Sequence, residues 1–168
     1  GMEYIPVISV NMNGMEKNDG FTYTPTLVVR AAQAVAYGDA FQAMLYRVRP
    51  YELVPGSANA LHEKWKKIVC ESLVKDGFGL GEYRRNIKKM VQEFDELPLR
   101  DIPRKNRVGV VGEILVKYMP LANNHLVDVL ESEGAEAVVP ELLGFFEYCF
   151  ENSDFKAEYL GGSKKVAF

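Results

Sequence analysis

Cysteine and histidine are scarce in this chain. Among its 168 residues there are 2 of each. Cys70 and Cys149 stand far apart in a chain with no secretory signal, so a cystine framework is excluded and both are expected to remain thiols. A chain of this length needs no such staple, because it buries roughly two-thirds of the surface it exposes when unfolded. His62 and His125, with no CxxC or HxxxH spacing, leave too few ligands for a metal site within the chain. They also form no Ser/His/Asp or Cys/His set. Basic excess is missing too: 20 Lys+Arg against 23 Asp+Glu give a formal charge of −3, which argues against a nucleic-acid partner. No apolar stretch approaches ~18 residues, so no membrane span is expected. The N-terminus lacks a basic region followed by an apolar core, which points to the cytoplasm. About one domain's worth of sequence remains to be read for motifs.

Tyr4 to Val10 is a short β-rich apolar run that stops at Asn11-Met12-Asn13-Gly14. It reads as a buried strand feeding a polar loop, with a hairpin through Asn13-Gly14 and Asp19-Gly20 as the competing reading. From Pro25 the positions Leu27, Ala31, Ala34, Gly38, Phe41, Leu45 and Val48 repeat at spacings of three and four, one face of a long helix that Arg49-Pro50 ends. The small residues in its middle predict close packing of another backbone. Ser57 is placed to cap a second helix with Leu61, Trp65, Ile68, Val69 and Leu73 on its apolar side. Gly77 to Gly81 breaks it. A third helix carries Tyr83, Ile87, Met90, Val91, Phe94 and Leu97 on one side and Arg84, Arg85, Lys88 and Lys89 on the other, until Pro98 and Pro103 mark a seam.

Beyond that seam the period changes. Val108 to Leu115 is a β-branched run, Leu121 to Glu133 is helical, Gly134 closes the helix, and Ala135 to Val139 is apolar again. This spacing predicts a parallel βαβ unit with a right-handed crossover, followed by a helix from Leu142. The fold class expected is therefore α/β: a parallel sheet of about three or four strands, including Ile5 to Val10, flanked by helices, with a mainly helical N-terminal half. Residues 1–103 and 104–168 are the two segments.

The loop Gly112 to Asn124 follows a strand, where ligands bind in open α/β sheets. Asn11, Glu113, Lys117, Tyr118, Asn123 and Asn124 are expected to converge there, offering a cation, a ring, amide donors and a helix N-terminus to the carbonyl or phosphate end of a ligand. The plainer reading is a βα connection with an Asn cap. No glycine cluster forms a nucleotide fingerprint: Gly109-x-x-Gly112 lacks the register, Gly77-x-Gly79-x-Gly81 joins two helices, and Gly161-Gly162-Ser163-Lys164 lacks the upstream glycine of a P-loop. The cations of the third helix, with Lys64, Lys66 and Lys67 on the second, read as solvated faces or as patches for a phosphate-bearing or acidic partner. Cys70 and Cys149 read as core thiols.

The stretches Ile5-Pro6-Val7-Ile8-Ser9, Tyr37-Gly38-Asp39, Arg49-Pro50-Tyr51-Glu52, Gly112-Glu113-Ile114 through Ala122-Asn123-Asn124, and Glu133-Gly134-Ala135-Glu136 resemble the 2-hydroxyacyl-CoA dehydratase family, in its large, activase-associated branch. The resemblance implies a Rossmann-like piece of a larger parent that continues past Phe168. In such systems an ATP-driven iron–sulfur activase passes one electron to a dehydratase whose [4Fe-4S] clusters support radical elimination of water. The activase nucleotide motifs and the family's cysteine-bearing segments are absent here. The resemblance therefore implies no cofactor and no catalysis in this piece itself. A [4Fe-4S] cluster is implied for the parent, with no assignment of Cys149 to it. The partners implied are the remainder of the parent or a dehydratase or activase subunit, and an acyl-CoA. A non-catalytic subunit-docking or phosphate-binding module is the alternative.

Overall fold

The computed structural model describes residues 24–75 and 77–161. The strand expected at Ile5 to Val10, and with it Asn11, lies outside the described residues.

Helix α1 spans Pro25–Val48. Thr24 caps it, its hydroxyl accepting from Leu27 N–H at 3.1 Å, and Pro25 fills the first turn, where no amide is needed. A 3-10 turn at Arg49–Tyr51 ends it at the expected place. The buried side is not the one the apolar stripe predicts in its first half. Arg30, Gln33 and Tyr37 face inward ahead of Phe41, Leu45 and Val48, whereas Ala31, Ala34 and Gly38 are exposed. A side chain at Gly38 would meet nothing within 4 Å, so no backbone packs closely there among the described residues.

The reason is hydrogen bonding. Arg30 donates to Gly77 O at 3.0 Å and Lys75 O at 3.1 Å, and Gln33 donates to Phe78 O at 2.8 Å. These polar side chains are buried because they satisfy the carbonyls of a turn that would otherwise be orphaned. Gly79, at φ 57°, takes the left-handed backbone that glycine adopts at least cost, and a Cβ there would crowd the Arg30 guanidinium.

Helix α2, Ser57–Leu73, and helix α3, Leu80–Asp95, complete a three-helix core. Tyr37, Phe41, Leu45 and Val48 of α1 meet Ala58, Trp65 and Val69 of α2 and Met90 and Phe94 of α3. Each large side chain in this cluster stabilises the fold by about 1.5 to 3 kcal/mol. The cap of α2 comes from Glu52, not Ser57. Its carboxylate accepts from Gly56 N–H at 2.6 Å and Ala58 N–H at 2.8 Å, while Gly56 supplies the left-handed residue before the helix.

Past the seam come strand β1 at Arg107–Gly109, α4 at Ile114–Tyr118, α5 at Leu126–Ser132, β2 at Glu136–Val138 and α6 at Leu142–Tyr159. β1 and β2 are parallel, with Arg107 beside Glu136 and Gly109 beside Val138, as the spacing predicts. The run expected as strand from Val108 to Leu115 divides. Val110 still donates to Val138 O at 2.9 Å, but Gly112 at φ 139° turns the chain, and Glu113 caps a short helix by accepting from Val116 N–H at 2.9 Å. The helix expected from Leu121 begins only at Leu126, because Asn124 and His125 are both left-handed (φ 55° and 53°). Gly134, at φ 85°, closes α5 as expected. β2 packs on α1, where Gln42 donates to Val139 O at 3.0 Å.

The described residues thus form a helix-rich α/β fold with a two-stranded parallel sheet. None of their helices is long and apolar enough to cross a membrane.

Candidate functional site

The loop after β1 is held in shape by its own polar side chains. Asn123 donates through Nδ2 to Val116 O at 3.0 Å and Lys117 O at 3.1 Å. Its Oδ1 accepts from Leu126 N–H at 3.2 Å, so it caps α5 in the sense the sequence predicts. The Tyr118 hydroxyl donates to Pro140 O, tying the loop to the exit of β2. Lys117 Nζ sits 4.6 Å from the centroid of the Tyr118 ring, a cation–π placement that leaves the ammonium without an ion pair among the described residues.

A cleft of about 210 Å³ opens beside this loop, walled by Lys117, Tyr118, Asn123 and His125 on one side and by Gln42 and Tyr46 of α1 on the other. Of the six residues expected to converge, three line it together: Lys117, Tyr118 and Asn123. Glu113 is spent on the α4 cap and does not line the cleft, and Asn124 is exposed and does not line it either. Asn11 lies outside the described residues. The helix N-terminus contributes less than expected, since α5 is short and its first free amide is already taken by Asn123.

The α1 side of the cleft is not legible in the sequence, although Arg49-Pro50-Tyr51-Glu52 is among the stretches that carry the resemblance. Arg49 forms a two-point pair with Glu131, at 2.7 and 3.0 Å, and reaches Asp128 at 3.3 Å. The Tyr51 hydroxyl donates to buried Glu136 at 2.7 Å and accepts from Lys105 N–H at 3.0 Å. With Glu52 on α2, this tetrapeptide joins the helical half to α5 and β2. Burial raises the Tyr46 phenol above its ordinary value, Arg49 opposing and Asp128 and Glu131 adding to the rise. Burial also raises Tyr51, and its bond to Glu136 adds to that, because both favour the neutral phenol.

The basic patches divide. Lys64 pairs with Glu93 and Lys66 with Glu63, while Arg84, Arg85, Lys88 and Lys89 are exposed along α3. The cysteines depart from expectation: both thiols are exposed. Cys70 falls just beyond the buried Val69, and Cys149 sits on α6, where no described side chain is buried.

A [4Fe-4S] cluster takes four thiolates in its usual form. Two cysteines on different helices do not fit one, and no group of three or more His, Cys, Asp or Glu side chains among the described residues is placed to hold a metal ion. No protein-family model matches the chain, and neither a curated protein nor a solved structure matches it.

Proposed function

We propose that this chain is a segment of a 2-hydroxyacyl-CoA dehydratase or of its activator-related protein, in which the loop from Gly112 to Asn124 forms one wall of an acyl-CoA site. One observation carries this reading: Lys117, Tyr118 and Asn123, all from the stretch that bears the resemblance, line a single cleft beside a parallel strand. An unpaired ammonium, a ring and fixed amides suit a carbonyl or phosphate oxygen better than a bare metal, which wants more carboxylate, imidazole or thiolate. The segment is not catalytic by itself, and thiolates for a cluster come from elsewhere in the system.

The same reading extends the sheet to the three or four strands of a Rossmann-like unit. Parallel sheets are covered on both faces, yet Val108 remains 37% exposed. Further protein against this sheet would cover it.

A second reading, a subunit-docking module without a ligand, draws on α6, which exposes Phe150, Phe155 and Tyr159 at 56%, 52% and 65%. Calorimetric titration with coenzyme A separates the two. The acyl-CoA reading expects saturable binding that Lys117→Gln weakens about tenfold, the loss of one charge-assisted hydrogen bond. Absence of binding, or binding indifferent to Lys117, favours docking. Dehydration of a 2-hydroxyacyl-CoA by the purified chain contradicts the non-catalytic assignment.

A further inference from the structure

A second cleft, of about 200 Å³, lies between α1 and the sheet, and three guanidinium groups border it: Arg47, Arg104 and Arg107. Its floor is Glu136, a carboxylate only 3% exposed. Arg107 approaches Glu136 through Nε at 3.2 Å, and Arg104 through Nε at 3.8 Å. Because both contacts use Nε, the two terminal nitrogens of each fork are left over, and both side chains stay more than half exposed (58% and 56%). Arg47 is exposed on α1 and has no hydrogen bond or ion pair to another described residue. Glu136 is itself fixed by the Tyr51 hydroxyl at 2.7 Å, and Arg47, Arg104 and Arg107 line one space with it. Glu141 stands on the same wall. Three cations and two carboxylates line the cleft, which leaves one positive charge in excess.

We propose that this cleft binds the diphosphate group of a small molecule. Planar forks that present paired N–H donors match the oxygens of a phosphate. A single carboxylate would satisfy one fork and leave two; a diphosphate presents oxygens to all three. The proposal does not rest on the acyl-CoA reading, although the two clefts share Gln42, Tyr46 and Val139, so one extended ligand with a diphosphate can occupy both.

The test is a titration of the isotope-labelled full chain with inorganic pyrophosphate at constant ionic strength, following backbone amides. Saturable shifts are expected at Arg47, Arg107 and Glu136 to Val139, and Arg47→Gln, which removes no internal contact, is expected to weaken binding about tenfold. Equal affinity in Arg47→Gln, or non-saturating shifts confined to Arg84 to Lys89, overturns the proposal. A coenzyme A arm separates the sources. Shifts in both clefts identify a coenzyme-borne diphosphate, and shifts with pyrophosphate alone identify a free one. Coenzyme A shifts at Lys117 to Asn123, with no response to pyrophosphate, overturn this site and leave the acyl-CoA reading standing.

Discussion

Asp39 is the residue whose removal tests how the C-terminal helix is held. It sits on α1, 9% exposed, and its two carboxylate oxygens accept from Leu142 N–H and Leu143 N–H, both at 2.8 Å. Glu141, at the cap position of α6, makes no capping bond of its own. No described side chain of α6 is buried, so this cap is the best-defined anchor between the helix and the core. Replacing an N-cap acid by alanine costs about 0.5 to 2 kcal/mol, and two charge-assisted bonds place Asp39→Ala near the upper end. About 2 kcal/mol corresponds to roughly thirtyfold in the opening equilibrium of α6. With no described side chain of α6 buried in the core, the effect is expected to be local. Amide hydrogen exchange of Asp39→Ala should show α6 exchanging about thirtyfold faster while the helices bearing Trp65 and Met90 are unchanged, with Asp39→Asn intermediate. Unchanged exchange in α6, or loss of protection across the whole molecule in step, would refute the reasoning.

Tyr51→Phe removes the donor to buried Glu136 and the acceptor for Lys105 N–H; a cost of about 2 to 3 kcal/mol should lower Tm by about 5 to 10 °C in a thermal melt. Met90, fully buried at 0% exposure among the three helices, should lose about 2 to 5 kcal/mol as Met90→Ala, read from the denaturant midpoint. His62 packs edge-on against Phe41, ring centroids 4.9 Å apart, and burial holds its imidazole below the ordinary 6.5, Glu63 partly offsetting this. A depressed base favours the neutral form in the fold, so its contribution is complete above pH 6.5 and is lost as the pH falls below it. Stability of the wild type should therefore drop over that interval more steeply than that of His62→Gln, measured by urea unfolding at stepped pH.

The three helices of the first half were legible because the signals that bound them are local. Pro25 opens α1 and Arg49-Pro50 ends it, and Trp65, Val69, Met90 and Phe94 fall on the faces their spacing assigns. What local pattern does not carry is a polar group whose partner is distant. Arg30 and Gln33 look like surface residues until the carbonyls of the turn at Lys75 to Phe78 are placed against them. Glu136 and Asp39 read as ordinary acids, yet each is spent on a partner set by the tertiary fold, 85 residues away for Glu136 and Tyr51. In the candidate site, Asn123 and the Lys117-Tyr118 pair could be read from a loop that follows a strand. The arginine cleft could not, because Arg47 and Arg107 are adjacent only once β2 has docked on α1. The left-handed pair Asn124-His125, which delays α5, falls on two residue types enriched in that conformation.

Amide exchange with and without coenzyme A decides whether the loop after β1 is a preformed ligand wall. Added protection is expected over Lys117 to Leu126 and at Gln42 and Tyr46 across the cleft, persisting at moderate salt. Protection confined to Leu80–Asp95, where exposed cations attract any polyanion, and lost on adding salt, would contradict it.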